Sequence, residues 1–254
     1  MIDTHTHIYF PDFEEGIDGI MELCSTTGVT HLILPNVDET TLPQMKELHE
    51  RYPDLTSMAI GIHPTEVKED WKEKMEIVER ELSTGNYVAV GEVGMDLYWD
   101  KSFVIQQKDA FEKQLQYAEK LNLPVIIHCR DAFDETLEVI EKVNPSVPLI
   151  FHSFTGDIET VRNIRKVCDP WFGINGVVTY KNAPKLREAL QEIGIEKIVL
   201  ETDSPYLSPV PHRGKPNNSS YIIHVRDQIA ESLGMTREEV ESITDVNARK
   251  IFKI

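Results

Sequence analysis

Residues 87–130 read YVAVGEVGMDLYWDKSFVIQQKDAFEKQLQYAEKLNLPVIIHCR. An apolar, β-branched run, Tyr87–Glu92, is followed by a helical pattern over Phe103–Leu121 and a second run, Val125–Cys129. In the helical stretch Val104, Phe111, Leu115, Ala118 and Leu121 recur at spacings of three, four and seven, which lines them up as one stripe. The unit therefore reads strand–helix–strand, and the same alternation extends outward in both directions. Further runs are Ile2–Ile8, Thr30–Pro35, Thr56–Gly61, Pro148–His152, Trp171–Asn175 and Lys197–Glu201, which makes eight in all. Amphipathic stretches such as Glu66–Leu82 and Asp131–Val143 lie between them, and helix-stop signals at Thr27-Gly28 and Gly85 precede the next strand. Eight such units without a composition break predict a single α/β domain over residues 1–254, a (β/α)₈ TIM barrel. An open doubly wound sheet would carry a glycine-rich phosphate loop after its first strand, whereas Tyr9-Phe10-Pro11-Asp12 stands there.

Composition agrees with this size and class. The chain has 254 residues, 41% apolar and 27% charged, which suits a soluble protein with a large core. Its N-terminal stretch lacks the basic-then-apolar shape of a signal peptide and no run is long enough to span a bilayer, so a cytoplasmic protein without membrane contact is expected. Cys24, Cys129 and Cys168 have no CxxC spacing, which argues against a disulfide scaffold or zinc ribbon. Lys and Arg number 26 against 43 Asp and Glu, and the net charge of −17 argues against a broad basic face for nucleic acid.

Polar residues stand directly after the apolar runs. Side chains alternate along a strand, so His5 and His7 project the same way and can grip one ion. Strand three runs into His63, strand four ends on Glu92, strand five on His128, strand six on His152, and strand eight on Glu201-Thr202-Asp203. Buried imidazoles and carboxylates are costly unless paired or bound to metal. Their recurrence at the C-terminal ends of strands, where barrel enzymes keep their active sites, predicts a shared metal centre.

The sequence resembles the TatD family of metal-dependent hydrolases, within the wider amidohydrolase-like barrels. The resemblance rests on Asp3–His7, Gly61–Pro64, Gly91–Asp96, Val125–Arg130, His152–Gly156, Glu201–Pro205, Arg213-Gly214-Lys215 and Asn247-Ala248, in family order over nearly the whole chain. After Lys215 it departs: Asn217 is followed by Asn218-Ser219 where the family tends to show Asn-Glu-Pro, on a loop expected to border the substrate. The resemblance implies two divalent ions, one held by His5, His7, Glu92 and Asp203 and the other by Glu92, His128 and His152, with Glu92 bridging. Mixed imidazole and carboxylate ligands suit Zn, Mn, Fe or Co, with Mg tolerated. No lysine follows strand four to supply a carbamate bridge, consistent with a carboxylate there.

Asp203 is the candidate to ligate metal and take the proton of an attacking water. Glu201, on the same face, either holds a ligand histidine or touches water or metal directly. His63, Arg130 and Arg213 are expected to face the substrate, although Arg130 could instead pair with Asp131 or Asp134 at a helix start. Tyr98 and Trp99 could stack on a base but are expected, with Asp96, to pack beneath their loop as a small satellite core. Cys129 should point away from the site, and His31, His49 and His224 should be structural or on the surface. The irregular stretch Ser204–Asn218, with Pro205, Pro209, Pro211 and Pro216, is long enough to be functional.

The resemblance implies a deoxyribonuclease acting at DNA ends. The same binuclear site would also serve a small ester, amide or lactone, or a D-aminoacyl-tRNA; a non-catalytic metal-binding protein fits less well. Two cations would make a small positive mouth on a negative body, which admits a strand end and repels a long duplex. A monomer is expected.

Overall fold

The computed structural model describes residues 1–10, 13 and 16–254. Of the Tyr9–Asp12 stretch read above, Pro11 and Asp12 lie outside the described residues. Eight parallel strands are β1 (Ile2–Asp3), β2 (His31–Pro35), β3 (Thr56–Ile60), β4 (Tyr87–Asp96), β5 (Val125–Arg130), β6 (Leu149–Phe151), β7 (Pro170–Ile174) and β8 (Ile198–Leu200). The helices are α1 (Gly16–Thr26), α2 (Leu42–Arg51), α3 (Trp71–Leu82), α4 (Val104–Leu121), α5 (Phe133–Val143), α6 (Ile158–Val167), α7 (Pro184–Ile193), α8 (Ile222–Leu233) and α9 (Arg237–Phe252). Each strand pairs with the next in one sheet, β1 to β8. The sheet nearly closes on itself: Thr4 N donates to Leu200 O at 3.0 Å, Asp203 N to His5 O at 2.9 Å and His7 N to Ser204 O at 2.7 Å. The architecture is a TIM barrel. Among the described residues no helix is long and apolar enough to cross a membrane.

Two strands differ from the sequence expectation, and both differences matter for the site. The first strand was expected over Ile2–Ile8, but its ladder to β2 covers only Ile2–Asp3; beyond it the chain follows the end of β8 and meets β2 again, out of register, where Thr6 N donates to Ile33 O at 3.2 Å. The fourth was expected to stop at Glu92, but it continues to Asp96 through a register shift between Val90 and Val93. Gly91 allows that shift, because a Cβ there would lie 2.5 Å from Ile126 Cβ. Helix boundaries shift as well: Val67 ends a 3-10 turn in extended backbone, so α3 begins at Trp71 rather than Glu66. Asp131, with φ +51°, breaks the chain between β5 and α5, which moves that helix start to Phe133.

One residue from each strand builds an apolar layer: Ile2, Ile33, Ala59, Ala89, Ile126, Ile150, Trp171 and Val199, packed with Ala248, Ile251 and Phe252 of α9. A larger apolar shell, including Phe111, Leu115, Phe151 and Phe172, fills the space between strands and helices. Burial on this scale stabilises by roughly 25 cal/mol per Å² of apolar surface removed from water.

Candidate metal centre at the barrel mouth

Polar side chains collect two residues beyond the apolar layer. On β5 and β6 regular alternation carries Ile126 to His128 and Ile150 to His152, and beyond β8 it carries Val199 to Glu201. On β4 the extra residue of the register shift reverses the alternation and turns Glu92 onto the same face as Ala89. On β1 the departure from the β2 ladder does the same for His5 and His7.

Glu92 is the centre of the cluster, and its two carboxylate oxygens face different partners. Oε2 lies 3.1 Å from His5 Nε2 and 3.7 Å from His7 Nε2. Oε1 lies 2.7 Å from His128 Nδ1, 3.3 Å from His63 Nε2 and 3.5 Å from His152 Nε2. Asp203 Oδ1 stands 3.8 Å from both His5 and His7 Nε2 and 3.7 Å from His152 Nε2. Among the described residues, three groups bring their ligand atoms within 4.8 Å of one another: His5, His7 and Glu92; His63, Glu92 and His128; and His5, His152 and Glu201.

Outer partners orient these rings. His7 Nδ1 meets the Tyr9 hydroxyl at 2.9 Å, and that hydroxyl donates to Pro35 O, so Nδ1 carries the proton and Nε2 is left free toward the centre. His128 Nε2 meets Asp96 Oδ2 at 2.9 Å, which likewise turns Nδ1 inward. Glu201 accepts from Ser153 N at 2.6 Å and stands 3.0 Å from His152 Nδ1. Gly173 makes room for it, since a Cβ there would come within 2.1 Å of Glu201 Oε2. His5 stacks on His152 with ring centroids 3.5 Å apart.

The protonation pattern fits a cation site. Burial opposes charge on Glu92, but His63, His152 and His5 around it hold its carboxyl well below the usual range. Burial also opposes a charge on His152, yet Glu201, Glu92 and Asp203 push it up to about 10. Asp203 is pushed up to about 7 by burial and by its neighbours Glu92 and Glu201, against the pull of His152. His7 is lowered to about 4 by burial, and His5 falls well below the usual imidazole value for the same reason. His152 and His128 are thus the rings favoured to carry a proton, while His5 and His7 keep neutral nitrogens pointing inward. Two buried ring nitrogens, His5 Nδ1 and His152 Nδ1, lack an aligned hydrogen bond even though Glu201 faces the latter. Convergent neutral imidazoles around a shared carboxylate match the donor chemistry of divalent transition-metal ions.

Comparison with known proteins follows the same line. The family model described as TatD related DNase matches residues 2–253. The chain belongs to the TatD-related DNase family. It is 36% identical over 255 residues to the uncharacterized metal-dependent hydrolase YabD of Bacillus subtilis, covering 100% of this chain and 99% of the relative. A relative from Pantoea ananatis, the 3'-5' ssDNA/RNA exonuclease TatD, is 30% identical over 260 residues, covering 99% of each chain. The crystal structure of YJJV, a TatD homolog from Escherichia coli K12, aligns with a TM-score of 0.92 and 25% identity over 100% of this chain and 98% of that one. The protein is accordingly a metal-dependent hydrolase of the TatD family.

His63, read from sequence as a substrate contact, lies 3.2 Å from His128 Nδ1 and belongs to the cluster itself. Arg130 makes no helix-start ion pair with Asp131 or Asp134; its guanidinium lies 3.8 Å over the Tyr98 ring and 5.4 Å from that of Trp99. Arg213 lies 3.9 Å over the Tyr180 ring, on the side of Asp203. The expected satellite core does not form: Tyr98 and Trp99 are 53% and 70% exposed, while Asp96 is buried at the end of β4. Asn217, Asn218 and Ser219 are buried. Asn217 donates to Thr202 O and Tyr206 O, and Ser219 bonds Thr6, so this stretch fastens the loop to the barrel.

His31 and His49 bond Ser57 and Thr56, while His224 meets His212 Nε2 at 3.1 Å. Cys129 packs against the outer shell, where Thr136 donates to its sulfur. Sequence reasoning missed Asp96 as the partner of His128, and it missed two glutamines on α4. Gln107 exchanges hydrogen bonds with the backbone of Asp96, and Gln114 accepts from Ile62 N. The signal was present: Gln107 and Gln114 are seven residues apart on the buried face of an amphipathic helix.

Proposed function

We propose that the protein trims single-stranded DNA from an end, hydrolysing phosphodiester bonds at a centre of two divalent cations. The arrangement of Glu92, with one oxygen turned to His5 and His7 and the other to His128, His63 and His152, carries the reading. His5, His7, Glu92 and Asp203 would hold one ion, and Glu92, His128 and His152 the other, with His63 beside the second. Cations bound there would lower the pKa of a water and neutralise charge on a phosphoryl group.

The chain's own groups supply the rest. Asp203 reaches three of the imidazoles and is placed to accept the proton of an attacking water. Glu201 acts through His152, holding its ring in place. Arg130 and Arg213 flank the mouth with guanidinium groups whose edges match phosphate oxygens. The named activity of the Pantoea ananatis relative, an exonuclease on single-stranded DNA and RNA, supports the choice of substrate. A net charge of −17 confines anionic substrate to this mouth.

The test is a substrate panel run on protein stripped with EDTA and reloaded with Mg, Mn or Zn. Single-stranded DNA should be shortened from an end, and activity should vanish on chelation and return with metal. Contact with only one or two phosphates should make affinity fall about 3- to 7-fold between about 50 and 200 mM salt. Faster turnover of carboxylic esters, lactones or aminoacyl-tRNA than of any DNA would overturn the nuclease reading. Full activity after rigorous chelation would overturn the metal centre.

A further inference from the structure

Beside the metal centre lies a surface that the hydrolytic cluster does not use. Trp99 and Tyr98 meet edge to face, with ring centroids 4.9 Å apart and planes at 87°. They are among the most exposed large apolar side chains described, at 70% and 53%. Arg130 covers Tyr98 at 3.8 Å, and a guanidinium stacked in this way keeps its N–H edges free for an anion.

Exposed aromatic rings on a loose loop would mean little, but this loop is held. Both Tyr98 N and Trp99 N donate to Asp96 Oδ1, at 2.9 and 3.3 Å. The other oxygen of the same carboxylate meets His128 Nε2 at 2.9 Å. Gln107 clamps the Asp96 backbone from behind, and Leu97, itself buried, donates its N–H to Arg130 O at 3.0 Å. One buried carboxylate therefore fixes both a ring of the metal cluster and the backbone that presents the aromatic pair. Two large rings kept in water at such a fixed place cost solvation free energy unless a ligand covers them.

We propose that Trp99, Tyr98 and Arg130 form a base-stacking platform. A nucleobase next to the scissile phosphate lies on the exposed ring of Trp99, while the Arg130 guanidinium edge takes a neighbouring phosphate. The proposal rests on the nuclease reading above and gives it a substrate contact. Stacking tolerates any base, because every base has a π face, so the platform binds nucleotides without strong sequence preference.

The test uses the metal-loaded protein and two oligonucleotides, identical except that one carries tetrahydrofuran abasic residues at its terminal positions. Wild type should bind the intact strand with a KM about 5- to 100-fold lower than the abasic one. Trp99→Ala should bring that ratio toward one, and Trp99→Phe should largely restore it. A ratio unchanged in Trp99→Ala overturns the platform, as does an equal loss on both strands, which marks a merely structural role.

Emission provides an independent measurement, since Trp71 and Trp171 are the only other tryptophans. Deoxyadenosine 5'-monophosphate should quench wild type saturably and Trp99→Phe much less. Quenching without cleavage of either strand would overturn the nuclease reading while supporting the platform. Cleavage without Trp99-dependent quenching would overturn the platform alone, and the absence of both would overturn the two together.

Discussion

The two ends of the barrel's interior are built from the same strands and do opposite work. At one end Ile126, Ile150 and Val199 pack with Phe252 and Ile251 of α9 into a layer of apolar side chains. Two residues further along the same three chains, His128, His152 and Glu201 crowd around Glu92 and Asp203. The first layer supplies stability through burial and close packing. The second gathers charged groups out of water, which is favourable only where they are paired or share cations. The folded barrel therefore offsets at its apolar layer and outer shell what the mouth costs.

If the two layers are separable, substitutions in each should move different observables. The largest effect is expected from Glu92→Gln, which should lower hydrolysis by about a thousandfold, in the range seen when a preorganised charged group is lost, and should deplete bound metal.

Ile126→Ala should do the reverse. It should cost about 2–5 kcal/mol in chemical denaturation, while the folded fraction still binds metal normally. If Ile126→Ala emptied the metal site as fully as Glu92→Gln, the separation would be broken.

A smaller effect is expected from Gly173→Ala, where the added Cβ would meet Glu201 and shift His152. Metal affinity or activity should drop about 10- to 100-fold, as for other residues that orient a metal ligand. A wild-type metal titration from that variant would remove Glu201 from its role.

The smallest effect concerns the outer shell. Burial pushes the Cys24 thiol up to about 12, so at pH 8 only about one in ten thousand is ionised. Disulfide reagents should therefore label it slowly in the native protein and rapidly once it is unfolded. Fast native labelling would show that the shell opens more readily than the interior layer.

The barrel was legible because its signal repeats: eight apolar runs separated by amphipathic stretches leave few alternatives. Simple alternation also pointed to His128, His152 and Glu201. It could not account for Glu92, His5 and His7 sharing their face, because β1 and β4 break register at Asp3 and at Gly91. Glu92 was found through its residue type and the resemblance to a family, whereas alternation paired His5 with His7 without placing them on the face of His128. Asp96, Gln107 and Gln114 were misread or missed for a further reason. Their roles depend on which loop and helix meet in space, and local spacing does not encode that meeting. Tyr98 and Trp99 show the same limit from the other side, since aromatic residues after a strand usually fold inward and these are held out by Asp96.

Crystals grown with manganese and measured at a wavelength where manganese scatters anomalously test the shared carboxylate most directly. Two anomalous peaks should appear, one against each oxygen of Glu92, with His5 and His7 beside one and His128 beside the other. A single peak, or peaks that leave Glu92 without metal, would contradict a two-cation centre bridged by that residue.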